Sequence, residues 1–309
     1  MPIRRALAAA TLVAAAVVTA GCAASQASSS ATARTGVVNA VGAQSTYANV
    51  ISQIGGRFVH VTAVQSNPNS DPHAFEASAS VSEEISSAQL IVQNGLGYDS
   101  FMNTIESATS NPVRKIIDVQ QLLRLPDSTP NPHLWYSPAT MPAVARAIAT
   151  DLSQLRPAHT AYFESRLATF DASLKPWFAA IAAFKSAYRG APVATTEPVG
   201  DYLLQALGVR NMTPFGLQAA VMNGVDLAPQ YVTLQENLLT EHKVKVLVYN
   251  QQVVDQVTTT FLAKARQAGV PVVGVYETMP AGFTYQSWML AEVHALRSAI
   301  TSKQSTQRL

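Results

Sequence analysis

From residue 36 onwards, short β-branched segments alternate with helix-length stretches, and this alternation constrains the fold more than any other feature of the chain. Strands are expected at 37–41, 58–64, 90–92 and 115–119, with helices at 46–54, 81–88 and 99–108 between them. The Gly55-Gly56 pair stops the first of these helices. Such an order implies parallel sheets covered by helices, because neighbouring parallel strands need a crossover. The strand signal lapses from 141 to 187. There Pro157 suits an early position of a new helix. Tyr162, Phe163, Leu167, Phe170, Leu174, Trp177, Phe178, Ile181 and Phe184 then recur at helical spacing. A single helix over 157–189 is expected, about 45 Å long at 1.5 Å per residue. Alternation resumes with strands at 192–195, 244–249 and 272–276 and helices at 202–207, 231–241, 254–267 and 288–300. The expected fold is therefore α/β. An N-terminal lobe (36–156) and a C-terminal lobe (190–309), each with a parallel sheet, are joined by one long helix and leave a cleft between them. No sequence repeat relates the lobes. With 48 % hydrophobic residues among 309, the chain can fill such cores.

The N-terminus reads as an address. Arg4 and Arg5 precede a short apolar run over 6–18, which is too short to span a bilayer. Small residues Thr19, Ala20 and Gly21 lead to Cys22, the sole cysteine, so no intramolecular disulfide can form. The segment resembles a bacterial lipoprotein box, with Thr19 where Leu is usual. That resemblance implies a signal peptide over 1–21, a lipid on Cys22 and anchoring to the outer face of the cell membrane. An ordinary signal peptide with an incidental cysteine is the alternative. Residues 22–35 are rich in Ser, Ala and Thr and suit a flexible tether.

The net charge is +2 and no Lys/Arg cluster is present, which argues against nucleic-acid binding. Of six histidines, His60, His159, His242 and His294 fall in ordinary strand or helix positions. His73 and His133 differ, each following a proline in a loop at the end of an αβ unit. Proline stiffens such a loop, and open α/β sheets bind ligands beyond the carboxyl ends of their strands. The same placement also suits a histidine in a surface turn. Glu197 and Glu277 stand just past strands of the second lobe, where an acid can equally cap a helix. Together the four supply two donors from each lobe. Two neutral imidazoles and two carboxylates balance a divalent cation, and nitrogen and oxygen donors without sulfur suit Mn, Fe or Zn. All four donors must be deprotonated to bind, so affinity should fall as pH drops through the histidine range.

Several segments resemble the substrate-binding receptors of manganese- and zinc-type ABC importers. They are Asp71-Pro72-His73-Ala74-Phe75-Glu76, Asn131-Pro132-His133-Leu134-Trp135, Thr195-Thr196-Glu197, Tyr202, Leu207-Gly208-Val209, Gly282-Phe283-Thr284-Tyr285 and Trp288-Met289. The resemblance covers nearly the whole chain after the tether. It implies metal ligation by His73, His133, Glu197 and Glu277, with Glu277 standing where an Asp is usual. Its cargo would be one divalent ion, Mn²⁺ or alternatively Zn²⁺ or Fe²⁺. Glu at 197 and the absence of histidine from 108–132 favour manganese or iron. The implied partner is the membrane permease of an ABC importer, and the implied receptor is a monomer that captures metal without catalysis. The expected motion is a small rocking or a local loop rearrangement rather than a wide hinge. A metal-dependent hydrolase is one alternative, although no HExxH or G-x-S-x-G motif is present. A surface adhesin or structural lipoprotein on the same fold is another.

Overall fold

The computed structural model describes residues 36–309. The signal peptide, Cys22 and the tether lie outside the described residues. The first lobe runs β1 (Val38–Gln44), α1 (Ser45–Gly55), β2 (Val59–Gln65), α2 (Ala79–Ser87), β3 (Leu90–Gln93), α3 (Ser100–Ala108), β4 (Lys115–Asp118), the short α4 (Val119–Leu122) and α5 (Thr140–Leu155). Two helices follow, α6 (Thr160–Ser173) and α7 (Lys175–Tyr188). The second lobe runs β5 (Pro192–Thr195), α8 (Asp201–Leu207), β6 (Arg210–Asn211), α9 (Phe215–Met222), α10 (Pro229–Thr240), β7 (Leu247–Asn250), α11 (Gln256–Gln267), β8 (Val272–Val275) and α12 (Tyr285–Ser302).

Both sheets are parallel, in the orders β2-β1-β3-β4 and β6-β5-β7-β8. These are the same topology, with the first strand of each lobe inside and the second at an edge. The equivalence left no repeat in the sequence, because a parallel strand constrains only its hydrophobic character. The sequence expectation misses α4, β6 and α9: the first two are too short to carry a period, and the apolar residues of α9 are not confined to one face.

The segment expected as one helix over 157–189 is divided. A 3₁₀ turn at Pro157–His159 precedes α6, and Leu174 separates α6 from α7. The cause is Pro176, which has no N–H for the carbonyl four residues back and whose ring crowds it. The apolar spacing runs on across the break, and Phe163, Phe170, Leu174, Trp177 and Phe184 are all buried. The first half packs on α1 and α5, the second on α8 and α12, so the pair still joins the lobes.

Strand residues alternate between two cores. Val38, Ala40, Leu90 and Val92 face one large cluster, while Val41, Ala43 and Ile91 face a small one under α2 and α3. In the second sheet Val193, Val248, Val273 and Val275 enter the same large cluster, and Ala194, Leu247, Tyr249 and Val272 face a separate outer core. The large core is therefore common to both lobes, with Trp135, Tyr136, Trp177, Tyr285 and Trp288 inside it. Polar contacts at the start of α12 add to the joint: Asn49 Oδ1 accepts the Tyr285 N–H at 3.0 Å, and the Gln53 and Gln286 amides pair with each other.

Candidate metal centre

The four candidate residues all lie at the carboxyl ends of the sheets. His73 follows β2, where Asp71 Oδ1 accepts its backbone N–H at 2.8 Å and opens a 3₁₀ turn over Pro72–Ala74. His133 lies between α4 and α5. Its φ of −77° and ψ of 57° make a tight turn closed by the Leu134 N–H to the Pro132 carbonyl at 2.7 Å. Asn94, just past β3, donates to that same carbonyl at 2.8 Å. Glu197 follows β5, and Glu277 follows β8.

Three of the four meet. His73, His133 and Glu277 are the one group of three or more His, Cys, Asp or Glu among the described residues whose ligating atoms all lie within 4.8 Å of one another. They converge on a single atom: Glu277 Oε2 is 3.2 Å from His73 Nε2 and 3.1 Å from His133 Nε2. His133 and Glu277 are fully buried, whereas the His73 side chain keeps 24 % of its surface exposed. His73 is thus the solvent-side member, and a cleft of about 570 Å³ opens beside it, walled by Asp71, Asn223, Gln252 and Asp255.

Glu197 stands outside that triplet but close enough to feel it. It is 2 % exposed, and neither carboxylate oxygen has a hydrogen-bond donor. Burial raises its pKa far above the usual carboxylate range, and the nearby Glu277 charge adds to the rise. Asn250 acts weakly the other way, but gives its amide hydrogen bond to Glu277 Oε1 at 2.8 Å. Burial also works against ionisation of Glu277, yet the hydrogen bonds and charges of His133 and His73 prevail and hold it well below the usual range. For His73, burial acts downward and is outweighed by the hydrogen bond and charge of Glu277, so its pKa is raised. A buried carboxylate without a donor is costly. That carboxylate, with Glu277 and two imidazoles beside it, forms a nest that a cation relieves.

Sequence reasoning missed the residues that hold this nest. Tyr98 donates its hydroxyl to Glu277 Oε2 at 2.8 Å and packs edge-on against His73, His133 and Trp135. It is placed by Gly95 and Gly97, both at positive φ. A Gly-x-Gly turn after β3 was the available sign. Gln252 Oε1 accepts the backbone N–H groups of Glu277 and Thr278, while its Nε2 donates to the Ser70 carbonyl at 2.7 Å, so one amide ties the His73 loop to the Glu277 loop. Gln218 donates to the Glu197 carbonyl at 3.2 Å, to Thr195 and to Asp201, and so holds the Glu197 loop.

The family described as ZnuA, zinc-uptake complex component A, periplasmic, matches residues 41–299. The zinc-binding protein TroA of Treponema pallidum (strain Nichols) is 27 % identical over 132 residues, 41 % of this chain. The match spans 42 % of TroA, less than half of that relative's length. The solved structure of FpvC from Pseudomonas aeruginosa in complex with Mn²⁺ aligns with a TM-score of 0.69 at 20 % identity, covering 86 % of this chain and 99 % of that one. A mutant of the laminin-binding adhesin Lmb from Streptococcus agalactiae aligns with a TM-score of 0.70 at 17 % identity, covering 85 % of this chain and 100 % of that one. At these identities the solved structures speak to the fold alone, which is that of the two-lobed metal-binding proteins.

Proposed function

We propose, from the premise that this chain belongs to the ZnuA family of periplasmic zinc-uptake components, that it captures one divalent metal ion outside the cytoplasm and delivers it to the permease of an ABC importer. The ligands we assign are His73, His133, Glu197 and Glu277. The observation that carries the assignment is the buried, donorless carboxylate of Glu197 beside a triplet that converges on one Glu277 oxygen. Entry is past His73, the member that reaches solvent. Closure brings Glu197 onto the ion and excludes water, with no bond made or broken in the ion's surroundings except coordination. The family consists of uptake components rather than enzymes, so the hydrolase alternative has no support.

The donor set of two nitrogens and two carboxylates suits Mn²⁺, Fe²⁺ or Zn²⁺, and the second carboxylate favours Mn²⁺ as cargo. Zn²⁺ should still bind more tightly in a competition, as the Irving–Williams order requires. Lipid attachment at Cys22 would keep the receptor beside its permease. Elemental analysis of protein purified from membranes without added metal, followed by Mn²⁺/Zn²⁺ competition, tests the reading. About one bound ion per chain is expected, and His73→Ala and Glu197→Ala should each weaken it by at least about 100-fold, or roughly 2.7 kcal/mol. Unchanged affinity in both variants would mean that the site lies elsewhere. In the same preparation Cys22→Ala should move the protein to the soluble fraction.

A further inference from the structure

We propose that Asn131 is a positioning residue for metal capture, fixing the His133 ring as its Nδ1–H tautomer and tying that ring to the Glu197 loop of the opposite lobe. The proposal rests on the receptor reading above.

The geometry leaves the Asn131 amide one orientation. Its Nδ2 lies 2.8 Å from the Pro198 carbonyl, an atom that can only accept. Its Oδ1 accepts the backbone N–H of His133 at 3.0 Å. Turning the amide over would set oxygen against oxygen at Pro198 and N–H against N–H at His133. The side chain is buried, with Asn131 7 % exposed, so water does not reorder it. The same Oδ1 lies 2.8 Å from His133 Nδ1. An amide oxygen cannot donate, so Nδ1 carries the hydrogen. In the neutral ring the lone pair is then on Nε2, the atom 3.1 Å from Glu277 Oε2. A cation there takes the place of the hydrogen that Nε2 otherwise gives that carboxylate.

The second role follows from where the partners belong. Pro198 is one residue past Glu197. Tyr202, on α8 of the second lobe, donates its hydroxyl to the Asn131 carbonyl at 2.8 Å. Asn131 therefore holds His133 of the first lobe in register with the Glu197 loop of the second through two hydrogen bonds across the cleft. A partner that fixes tautomer and orientation is commonly worth about 10- to 100-fold in metal affinity.

Long-range ¹H–¹⁵N spectra of metal-free, histidine-labelled protein and Co²⁺ and Zn²⁺ titrations test this with Asn131→Leu and Asn131→Asp. The parent should show a hydrogen held on His133 Nδ1. Asn131→Leu loses the acceptor and should lose the single tautomer, with affinity about 10- to 100-fold weaker. Asn131→Asp keeps an oxygen toward Nδ1 and should keep the tautomer, with affinity within about tenfold of the parent. A folded Asn131→Leu that keeps both tautomer and affinity overturns the proposal and leaves the receptor reading standing. If Asn131→Leu does not fold, Asn131→Asp decides alone, and an Nε2–H ring in that variant overturns the proposal. A parent that takes up neither Co²⁺ nor Zn²⁺ overturns the receptor reading and this proposal together.

Discussion

Single side chains show how far burial alone can shift chemistry in this protein. Glu292, on α12, is buried in the large core, accepts the Trp288 indole N–H at 3.0 Å on one oxygen and has no donor on the other. Burial pushes its pKa up to about 8, against the weaker opposing effects of the Trp288 hydrogen bond and the nearby Tyr136 hydroxyl. Between the unfolded carboxylate range and that value, the folded chain keeps a proton that the unfolded chain has released. Stability therefore falls as pH rises, by up to about 1.4 kcal/mol per unit, is fully present below the unfolded pKa and is lost by the folded one. Glu292→Gln removes this dependence. In melts of metal-free protein the variant should match the parent near pH 4.5 and exceed it at pH 8 by several degrees, at roughly 2–4 °C per kcal/mol. An equal difference at both pH values would sink the idea. At this scale the sequence was informative only where a residue's neighbours along the chain reveal its job. His73, His133 and Glu277, which the structure brings together, each stand in a loop just past a strand or an αβ unit, and chain order shows that placement. Tyr98 and Asn131 could not be given their roles, because their partners, Glu277 and Pro198, lie 179 and 67 positions away.

Among the elements, the C-terminal tail has a role that its length hides. Thr306 donates to the Val272 carbonyl at 2.9 Å and accepts the Gly274 N–H at 2.8 Å, so the tail runs parallel to β8 and covers that edge of the second sheet. Ser305 Oγ accepts the Val272 N–H, and Arg266 donates to Gln307. The tail comes so close that a Cβ at Gly274 would collide with the Gln307 carbonyl oxygen. Gly274→Ala should cost about 1–3 kcal/mol, as overpacking usually does. In a chain truncated before Gln304 the same substitution should cost much less, and the thermodynamic cycle of the two changes isolates the contact. Equal costs in both backgrounds would show that the tail does not press on β8. The sequence does not announce this edge cover, since six polar-rich residues carry no period. The break at Leu174 is a different kind of omission. Pro176 was visible, but the apolar spacing passes through it, and packing on two lobes needs only the spacing.

For the molecule as a whole, the shared core decides what kind of motion is open to it. The two sheets do not close over separate interiors, so a wide hinge would have to expose Trp135, Tyr136, Tyr285 and Trp288, all of them buried. Burial of each such side chain is worth about 1.5–3 kcal/mol, so exposing all four would cost roughly 6–12 kcal/mol. Metal capture should therefore proceed by movement of the His73 and Glu197 loops, with little change in overall shape. X-ray scattering with and without Zn²⁺ should show the radius of gyration, about 19 Å for a compact chain of this size, altered by well under 1 Å. A shift of several ångströms would refute a rigid frame. The two-lobed plan itself was legible because strand–helix alternation stops and restarts. The common interior was not, because a buried valine looks the same whichever lobe it faces. That interior also settles what can be inherited separately. Each lobe is an unfinished half whose inner face is completed by the other, so exchanging one lobe between relatives would have to carry across the matching residues of its neighbour.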